Sequence, residues 1–101
     1  MKIVAVTACA TGIAHTYMAA EQLEKTAKAL GYQIKVETQG ALGVEHPLSA
    51  SDIQHADVAI LAADIGVEQS ERFDRMPVVR VAVQEAIKDP RGVFAKIPSR
   101  P

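Results

Sequence analysis

The chain has 101 residues, of which 49% are hydrophobic, and its formal net charge is −1. This length suits one domain with a single core, and the apolar content excludes a disordered chain. The near balance of charge gives no reason to expect nucleic acid or an anionic membrane surface as a partner. No apolar run approaches the roughly 20 residues that insert across a bilayer. A single cysteine excludes an internal disulfide, and without a secretion signal it predicts a cytoplasmic protein.

Strand and helix patterns alternate along the first half of the chain. Lys2–Ala8 is rich in Val, Ile and Ala and predicts a strand buried on both faces. Residues 14–30 predict a helix, which Gly31 ends in a left-handed conformation. The apolar stripe of this helix consists of Ala19, Leu23, Ala27 and Leu30. Tyr32–Thr38 then alternates as an edge strand does, and Gln39–Pro47 predicts a loop.

The second half begins with a capped helix. Ser49 predicts an N-cap and Asp52 completes a capping box, for a short helix that ends at about His55. Asp57–Ala63 is continuously apolar after its first residue and predicts a third, fully buried strand.

The remaining elements complete an alternating order. Glu68–Arg75 predicts a polar helical turn and Pro77–Val83 a fourth strand, and Asp89 followed by Pro90 starts a last helix. This order predicts one α/β domain over residues 1–97, in which helices cover both faces of a four-stranded parallel sheet in a Rossmann-like, three-layer arrangement. Residues 98–101 are predicted to be a tail or a linker remnant.

The only cysteine, Cys9, lies in the turn between the first strand and the first helix. Unpaired N–H groups and the dipole at a helix N-terminus favour negative charge, and both a thiolate and a phosphate are negative. Gly12 lets the backbone approach a phosphate closely, and the amides of residues 10–15 would surround the phosphoryl oxygens. The side chains of Thr11, His15 and Thr16 are further candidate donors. The segment therefore predicts a cysteine that carries a phosphoryl group.

Two enzyme alternatives fit the loop less well. Cysteine phosphatases have an arginine after five intervening residues, where this chain has His15. A guanidinium grips the transferring phosphoryl group through two parallel hydrogen bonds, so its absence favours a carrier over a phosphatase. An arsenate reductase needs a second cysteine, which the chain lacks. A regulatory module that senses an anion with this loop, and Cys9 as an ordinary buried residue, stay open as non-enzymatic alternatives.

Polar residues at the ends of two other strands are predicted to form the rim of this loop. Thr38, Gln39, Gly40 and Asp64 end strands, and the carboxyl ends of parallel strands share one edge of a sheet. A plain strand end for the first three, and a cap of the following turn for Asp64, are the alternatives. The one cysteine and three scattered histidines lack the spacing of metal ligands, so no metal site and no cofactor are predicted.

Three segments resemble one protein family. Residues 9–16, Cys-Ala-Thr-Gly-Ile-Ala-His-Thr, resemble the Cys-Pro-Thr-Gly-Ile-Ala-His-Thr signature of the fructose-type IIB component of the bacterial sugar phosphotransferase system. Residues 36–40 match its second signature, and Ala62-Ala63-Asp64 with Arg72-Phe73 fits a third region. Ala10 departs from the pattern, because the family usually has proline there; alanine leaves the loop freer and restores an N–H.

The resemblance implies a phosphoryl relay and a sheet order of 2-1-3-4. Cys9 would take a phosphoryl group from a phosphohistidine on a IIA domain and pass it to a fructose-like sugar held by the membrane permease IIC. The phosphate-binding residues implied are Ala10, Thr11, Gly12, Ile13, Ala14, His15 and Thr16. The chain itself would not insert into the membrane; it would be cytoplasmic, or held at the inner membrane face through a IIC partner or domain. Fructose, mannose and related sugars stay open, as do a free subunit and a domain of a longer chain.

Docking of two partners at one thiol predicts an exposed, largely flat apolar surface beside it. Ile13, Tyr17 and Met18 are the apolar residues at or just beyond the loop, and some of them should be exposed there. The interface should be small and transient.

Overall fold

The computed structural model describes residues 1–9 and 13–98, and it shows helices on both faces of one five-stranded sheet. The strands are β1 (Lys2–Ala8), β2 (Gln33–Gly40), β3 (Gly43–Glu45), β4 (Val58–Ala63) and β5 (Val78–Val81). The helices are α1 (Ile13–Ala29), α2 (Ala50–Gln54), α3 (Val83–Lys88) and α4 (Pro90–Ala95), and Ser70–Phe73 forms a 3₁₀ turn.

Strand β1 lies at the centre of the sheet, whose order is β3-β2-β1-β4-β5. The strands β2, β1, β4 and β5 run parallel, and β3 pairs antiparallel with β2. In register, Ala8 lies between Gln39 of β2 and Ala63 of β4. The carboxyl ends of β2 and β4 therefore flank the end of β1, where the chain continues to Cys9.

The core has two parts, one on each face of the sheet. On one face Ile3 and Ala5 pack with α1, α3 and α4. On the other face Val4 and Val6 pack with Leu48, which precedes α2, and with Phe73 of the 3₁₀ turn. Burial on both faces explains why β1 reads as a continuous apolar run, and this prediction is confirmed.

Helix α1 buries its predicted stripe except at the last position. Ala19, Leu23 and Ala27 are fully buried, but Leu30 is 37% exposed. The helix ends at Ala29, so Leu30 already lies in the turn that leaves it. Gly31 has the predicted positive φ of 79°. The N–H of Tyr32 donates to the carbonyl of Ala27 at 2.8 Å, which is the long hydrogen bond of a Schellman ending.

The prediction of a four-stranded sheet with the second strand at its edge is wrong. The segment predicted as the loop Gln39–Pro47 contains β3, which pairs with β2 and takes the edge position. Ala41 and Leu42 form the turn, and Gly43 has a φ of 88°, which glycine adopts without strain. A strand of three residues is too short to show an alternating pattern, so the two glycines of the segment Gln39–Pro47 indicated only a loop.

The fourth parallel strand is shorter than predicted. Pro77–Val83 was expected to be extended, but β5 ends at Val81 and Val83 begins α3. The N-cap residue Ala82 provides no side-chain hydrogen bond; instead, the carboxylate of Asp64 accepts the N–H of Val83 at 3.1 Å. A cap that comes from a distant part of the chain leaves no local sequence signal. The predicted N-cap of α4, Asp89, is confirmed, since it accepts the N–H of Gly92 at 3.1 Å.

The predicted capping box of α2 is confirmed. The hydroxyl of Ser49 accepts the N–H of Asp52 at 3.0 Å, and the carboxylate of Asp52 accepts the N–H of Ser49 at 2.9 Å. Lys35 of β2 forms an ion pair with the same carboxylate at 3.2 Å. Helix α2 is thereby fixed near the amino ends of β1 and β2, far along the strands from Cys9.

Replacing Ser49 with alanine should lower the free energy of unfolding by about 1 kcal/mol, because one N-terminal amide of α2 loses its acceptor. Urea denaturation measures the change. Ser51→Ala, two residues further along and exposed in the same helix, is the matched control and should stay within about 0.5 kcal/mol of the parent. Equal effects of the two substitutions would contradict the capping role.

Candidate functional site

Cys9 directly follows β1, and α1 begins at Ile13. Its side chain is 6% exposed and belongs to the core cluster on the α1 face of the sheet. Ala10, Thr11 and Gly12 lie outside the described residues, as does the side chain of Ile13. Their role as phosphate donors therefore stays a prediction.

The first turn of α1 is joined closely to the ends of β1 and β2. The hydroxyl of Thr7 donates to the carbonyl of Thr16 at 3.1 Å, and both residues are buried. A Cβ atom at Gly40 would lie 3.3 Å from the Thr16 hydroxyl oxygen, so glycine permits this approach. Thr38 is also buried, and its hydroxyl has no hydrogen-bond partner within residues 1–9 and 13–98. The structure thus brings Thr16, Thr38 and Gly40 together in a narrow crevice beside the end of β1.

The start of α1 presents several side chains to solvent. Ala14 and His15 are exposed, and Tyr17 and Met18 are 37% and 46% exposed. The expected exposure of these two apolar residues is confirmed, whereas their role in docking stays a prediction. The hydroxyl of Tyr17 donates to the carboxylate of Glu45 in β3, and this hydrogen bond raises the pKa of Tyr17 above its ordinary value. The contact joins the first turns of α1 to the β2–β3 hairpin.

Gln39 lies at the end of β2, but its side chain is only 5% exposed and is bonded within the protein. Its amide oxygen accepts the N–H of Glu68 at 2.8 Å, and its amide nitrogen donates to the carbonyl of Glu68 at 3.3 Å. The same nitrogen donates to the carboxylate of Glu37 at 2.7 Å. The polar atoms of Gln39 thus connect β2 to the segment that follows β4.

A buried carboxylate, that of Glu37, is the main feature that sequence reasoning missed. Glu37 is 1% exposed and accepts hydrogen bonds at 3.0 Å from both terminal nitrogens of Arg72. It also accepts the N–H of Leu48 at 2.9 Å. Burial alone would raise the pKa of Glu37, but the hydrogen bonds from Arg72, Leu48 and Gln39 outweigh it, so the pKa lies below its ordinary value.

Arg72 also holds the backbone that precedes the 3₁₀ turn. Its Nε donates to the carbonyl of Gln69 at 2.8 Å and one terminal nitrogen donates to the carbonyl of Glu68 at 3.2 Å. The guanidinium lies 4.9 Å from the ring centre of Phe73, within the range of a cation–π contact. In the sequence, Glu37 is an acidic residue inside a predicted strand and Arg72 lies in a predicted polar turn. No sequence pattern indicates that these two residues form a pair.

Asp64 lies one residue beyond β4 and is exposed. Its N–H donates to the carbonyl of Ala8 at 3.0 Å, the residue before Cys9, and its carboxylate caps α3 through Val83. A capping role was the alternative prediction for Asp64. Asp64 does cap a helix, but that helix is α3 and not the turn that directly follows Asp64. The next residue, Ile65, is 42% exposed.

Within residues 1–9 and 13–98, no group of three or more His, Cys, Asp or Glu side chains is placed to hold a metal ion. None of the helices in those ranges combines the length and the apolar character that crossing a bilayer requires.

Comparison with known proteins places this geometry in context. Residues 4–96 match the family model described as the lactose/cellobiose-specific IIB subunit of the phosphotransferase system (PTS). A fructose-like EIIB component 2 of Escherichia coli K12 is 52% identical over 96 residues, which is 95% of this chain and 91% of that protein. A fructose-specific EIIABC component of Bacillus subtilis is 50% identical over 95 residues, which is 94% of this chain and 15% of that protein.

A solved structure shows the same fold. A domain of the fructose-specific IIABC component of Borrelia burgdorferi superposes with a TM-score of 0.89 at 44% sequence identity. The match covers 93% of this chain and 89% of that one.

Replacing Glu37 with glutamine should remove an acid-sensitive part of the stability. The folded-state pKa of Glu37 lies below its ordinary value of 4.5. The contribution of Glu37 is therefore complete above that ordinary value and is lost as the pH falls through the folded-state pKa. Glu37→Gln should lower the free energy of unfolding by about 3 kcal/mol at pH 7, because Arg72 loses its charged partner, and the difference from the parent should shrink in acid.

Urea denaturation at pH 7, 5 and 3 measures this dependence. Glu71→Gln is the control, because Glu71 is an exposed acid beside Arg72 in the same 3₁₀ turn. It should change stability by less than about 0.5 kcal/mol at each pH. A loss in Glu37→Gln that is the same at all three pH values would contradict the assignment.

Proposed function

This chain belongs to the IIB family of the bacterial PTS, in its fructose-type branch, and from this premise we propose that Cys9 is its phosphoryl carrier. IIB components act as phosphotransferases in sugar uptake. In this proposal a phosphohistidine IIA domain phosphorylates Cys9, and the phosphocysteine then phosphorylates a fructose-like sugar held by a membrane IIC component. The position of the only thiol, between the end of the central strand and the start of α1, carries the proposal.

Each step of the relay exchanges one bond to phosphorus. In the first step the thiolate of Cys9 attacks the phosphorus atom, the sulfur–phosphorus bond forms, and the bond to the IIA histidine nitrogen breaks. In the second step a sugar hydroxyl attacks, the oxygen–phosphorus bond forms, and the sulfur leaves again as a thiolate while the hydroxyl loses its proton. A thiolate is both a strong nucleophile and a good leaving group, which a carrier requires in both directions.

The N-terminal end of α1 favours binding of a phosphoryl group, although the segment after Cys9 contains no arginine. α1 has 17 residues and begins four positions after Cys9, so its free N–H groups favour a negatively charged group at this end. We propose that the amides of residues 10–15 bind the phosphoryl oxygens, with the Thr11, His15 and Thr16 side chains as further donors. In this proposal Thr38 and Gly40, which line one crevice with Thr16, border the site together with Asp64, whose N–H bonds to Ala8.

A phosphatase is the weaker candidate for the same loop. The phosphatase arginine is replaced by His15, and Arg72 already uses both terminal nitrogens on Glu37. Cys9 is only 6% exposed in the unphosphorylated chain. A carrier must hold its phosphoryl group until an acceptor binds, so the site must limit the access of water to the phosphocysteine.

Exposed apolar side chains at the carboxyl edge of the sheet support docking of the two partners. We name Tyr17, Met18, Leu42 and Ile65 the docking rim; they are 37%, 46%, 64% and 42% exposed. The names EIIABC and IIABC of the relatives combine the letters A, B and C in single proteins, which supports IIA and IIC as the partners. We propose that the chain works at the cytoplasmic face of the membrane, where it meets IIC.

Cys9→Ser should fold but accept no transferable phosphoryl group from phosphorylated IIA, because a serine hydroxyl is not ionised at neutral pH. Intact mass and labelled-phosphate peptide mapping measure the adduct. The parent should show one stable adduct on the Cys9 peptide, and circular dichroism should confirm the fold of the variant. Label on a histidine peptide would contradict the carrier; rapid release of inorganic phosphate would indicate a phosphatase, and no adduct would indicate an anion sensor.

Met18→Gln should raise the concentration of phosphorylated IIA needed for half-maximal transfer by about tenfold, with the maximal rate unchanged, because an apolar contact of the docking rim is lost. Single-turnover transfer at several IIA concentrations separates the two parameters. Leu30→Gln is the matched control: Leu30 is 37% exposed, against 46% for Met18, but it lies beyond the opposite end of α1. An equal effect of both variants, or none for Met18→Gln, would contradict docking at this rim.

A further inference from the structure

The side chains of Glu37, Gln39 and Arg72, with the backbone of Glu68 and Gln69, form one connected polar network that we name the brace. Glu37 is 1% exposed and Gln39 is 5% exposed, and the side chain of Arg72 is 18% exposed. Their hydrogen bonds to one another and to the carbonyl groups of Glu68 and Gln69 are 2.7–3.3 Å long. Such a shielded network has one preferred arrangement, because each misplaced member would leave a buried polar group unpaired.

The brace spans the end of the central strand. Glu37 and Gln39 belong to β2, whereas Glu68 and Gln69 follow β4, and β1 lies between these two strands. Gln39 is opposite Ala8 in register, and Ala63 is opposite Ala8 on the other side. The brace therefore joins the two neighbours of β1 at the level where β1 ends.

The segment held by the brace bonds directly to the residue before Cys9. The N–H of Asp64 donates to the carbonyl of Ala8 at 3.0 Å, so the peptide group that leads into Cys9 is tied to residues 64–69. Within that segment Gln69 has a φ of 57°, which is unfavourable for a residue with a side chain. Arg72 stabilises this conformation, since its Nε and its backbone N–H both donate to the carbonyl of Gln69, at 2.8 and 3.1 Å.

We propose that Gln39 and Arg72 are positioning residues for phosphoryl transfer at Cys9. The brace holds residues 64–69 against the end of β1, and through the bond from Asp64 to Ala8 it fixes where the chain turns into the cysteine loop. Neither side chain touches the phosphoryl group in this account. This positioning role rests on the proposed function, because its effect is measured as the rate at which Cys9 accepts the phosphoryl group.

Gln39→Met keeps the volume of the side chain but removes its hydrogen bonds, and Arg72→Lys keeps the charge but loses the paired bonds to Glu37. Both variants should lower the maximal single-turnover rate of transfer from phosphorylated IIA by about 10- to 100-fold, because a small misplacement of a reacting group costs this much. The half-saturating IIA concentration should not change. Leu30→Gln, beyond the far end of α1, should stay within about twofold of the parent in both parameters.

Hydrogen exchange at the Asp64 amide, followed by NMR, tests the brace without any phosphoryl transfer. It should be about tenfold faster in Gln39→Met and in Arg72→Lys, and unchanged in Leu30→Gln. Unchanged protection of Asp64 would overturn the proposal whatever the activity of the parent. A transfer rate that falls no further than in Leu30→Gln would also overturn it. So would a rise in the half-saturating IIA concentration alone, which would place these residues in docking. If Gln39→Met does not fold, the result for Arg72→Lys tests the brace by itself. If the parent accepts no phosphoryl group, the proposed carrier function is refuted, and the exchange rate of the Asp64 amide still tests the brace.

Discussion

The buried carboxylate of Glu37 is the interaction on which the carboxyl end of the sheet depends. An isolated charge in the interior is strongly unfavourable, so its partners must be held in fixed positions. These partners come from three separate parts of the chain: Arg72 in the 3₁₀ turn, the backbone of Leu48 before α2, and Gln39 in the same strand. One side chain thus fixes the layer on the face of the sheet opposite α1.

That arrangement separates support from chemistry across the sheet. Glu37 and Gln39 point to the face that carries Arg72, whereas Cys9 packs on the α1 face with residues such as Ala19 and Leu23. The supporting polar groups are therefore shielded by the sheet from a charged group at Cys9, and their hydrogen bonds do not compete for it. Successive side chains along a strand point to opposite faces of the sheet. Residues at one edge of the sheet can therefore serve the support on one face and the chemistry on the other.

A small carrier has different requirements from a phosphatase. The proposed carrier needs one thiol, a backbone that favours negative charge and a surface on which a donor and an acceptor bind in turn. The exposed apolar residues around the start of α1, Tyr17 and Met18, and Leu42 in the β2–β3 turn, provide such a surface beside a thiol that is itself nearly buried. In the proposed relay the partner completes the site, so specificity for the sugar lies outside this chain.

Local patterns predicted much of the fold, because its helices and central strands carry their signals in sequence. The Ser49–Asp52 capping box, the left-handed Gly31 and the apolar strands β1 and β4 each depend on neighbouring residues. The features that were missed depend on distant contacts. Strand β3 is defined by its pairing with β2, and the start of α3 by a carboxylate that lies 19 residues earlier.

The candidate site divides in the same way. The position of Cys9 between a strand and a helix followed from the local pattern, whereas the exposure of Tyr17 and Met18 followed from the requirement that two partners dock beside one thiol. The burial of Gln39 did not, because its partners Glu37 and Glu68 come together only when β2 and the segment after β4 flank β1. Sequence patterns alone cannot distinguish a polar residue that faces a ligand from one that supports the site.

The central claim is that the phosphoryl group is carried on sulfur, and phosphorus NMR of the intact protein tests it most directly. The parent chain is phosphorylated with a catalytic amount of phosphorylated IIA and its donor system, and its spectrum is recorded before and after addition of IIC membranes with sugar. The account predicts one resonance in the range of S-phosphates, which disappears as a sugar phosphate resonance grows. A resonance in the phosphoramidate range, or an S-phosphate that never passes to sugar, would contradict it.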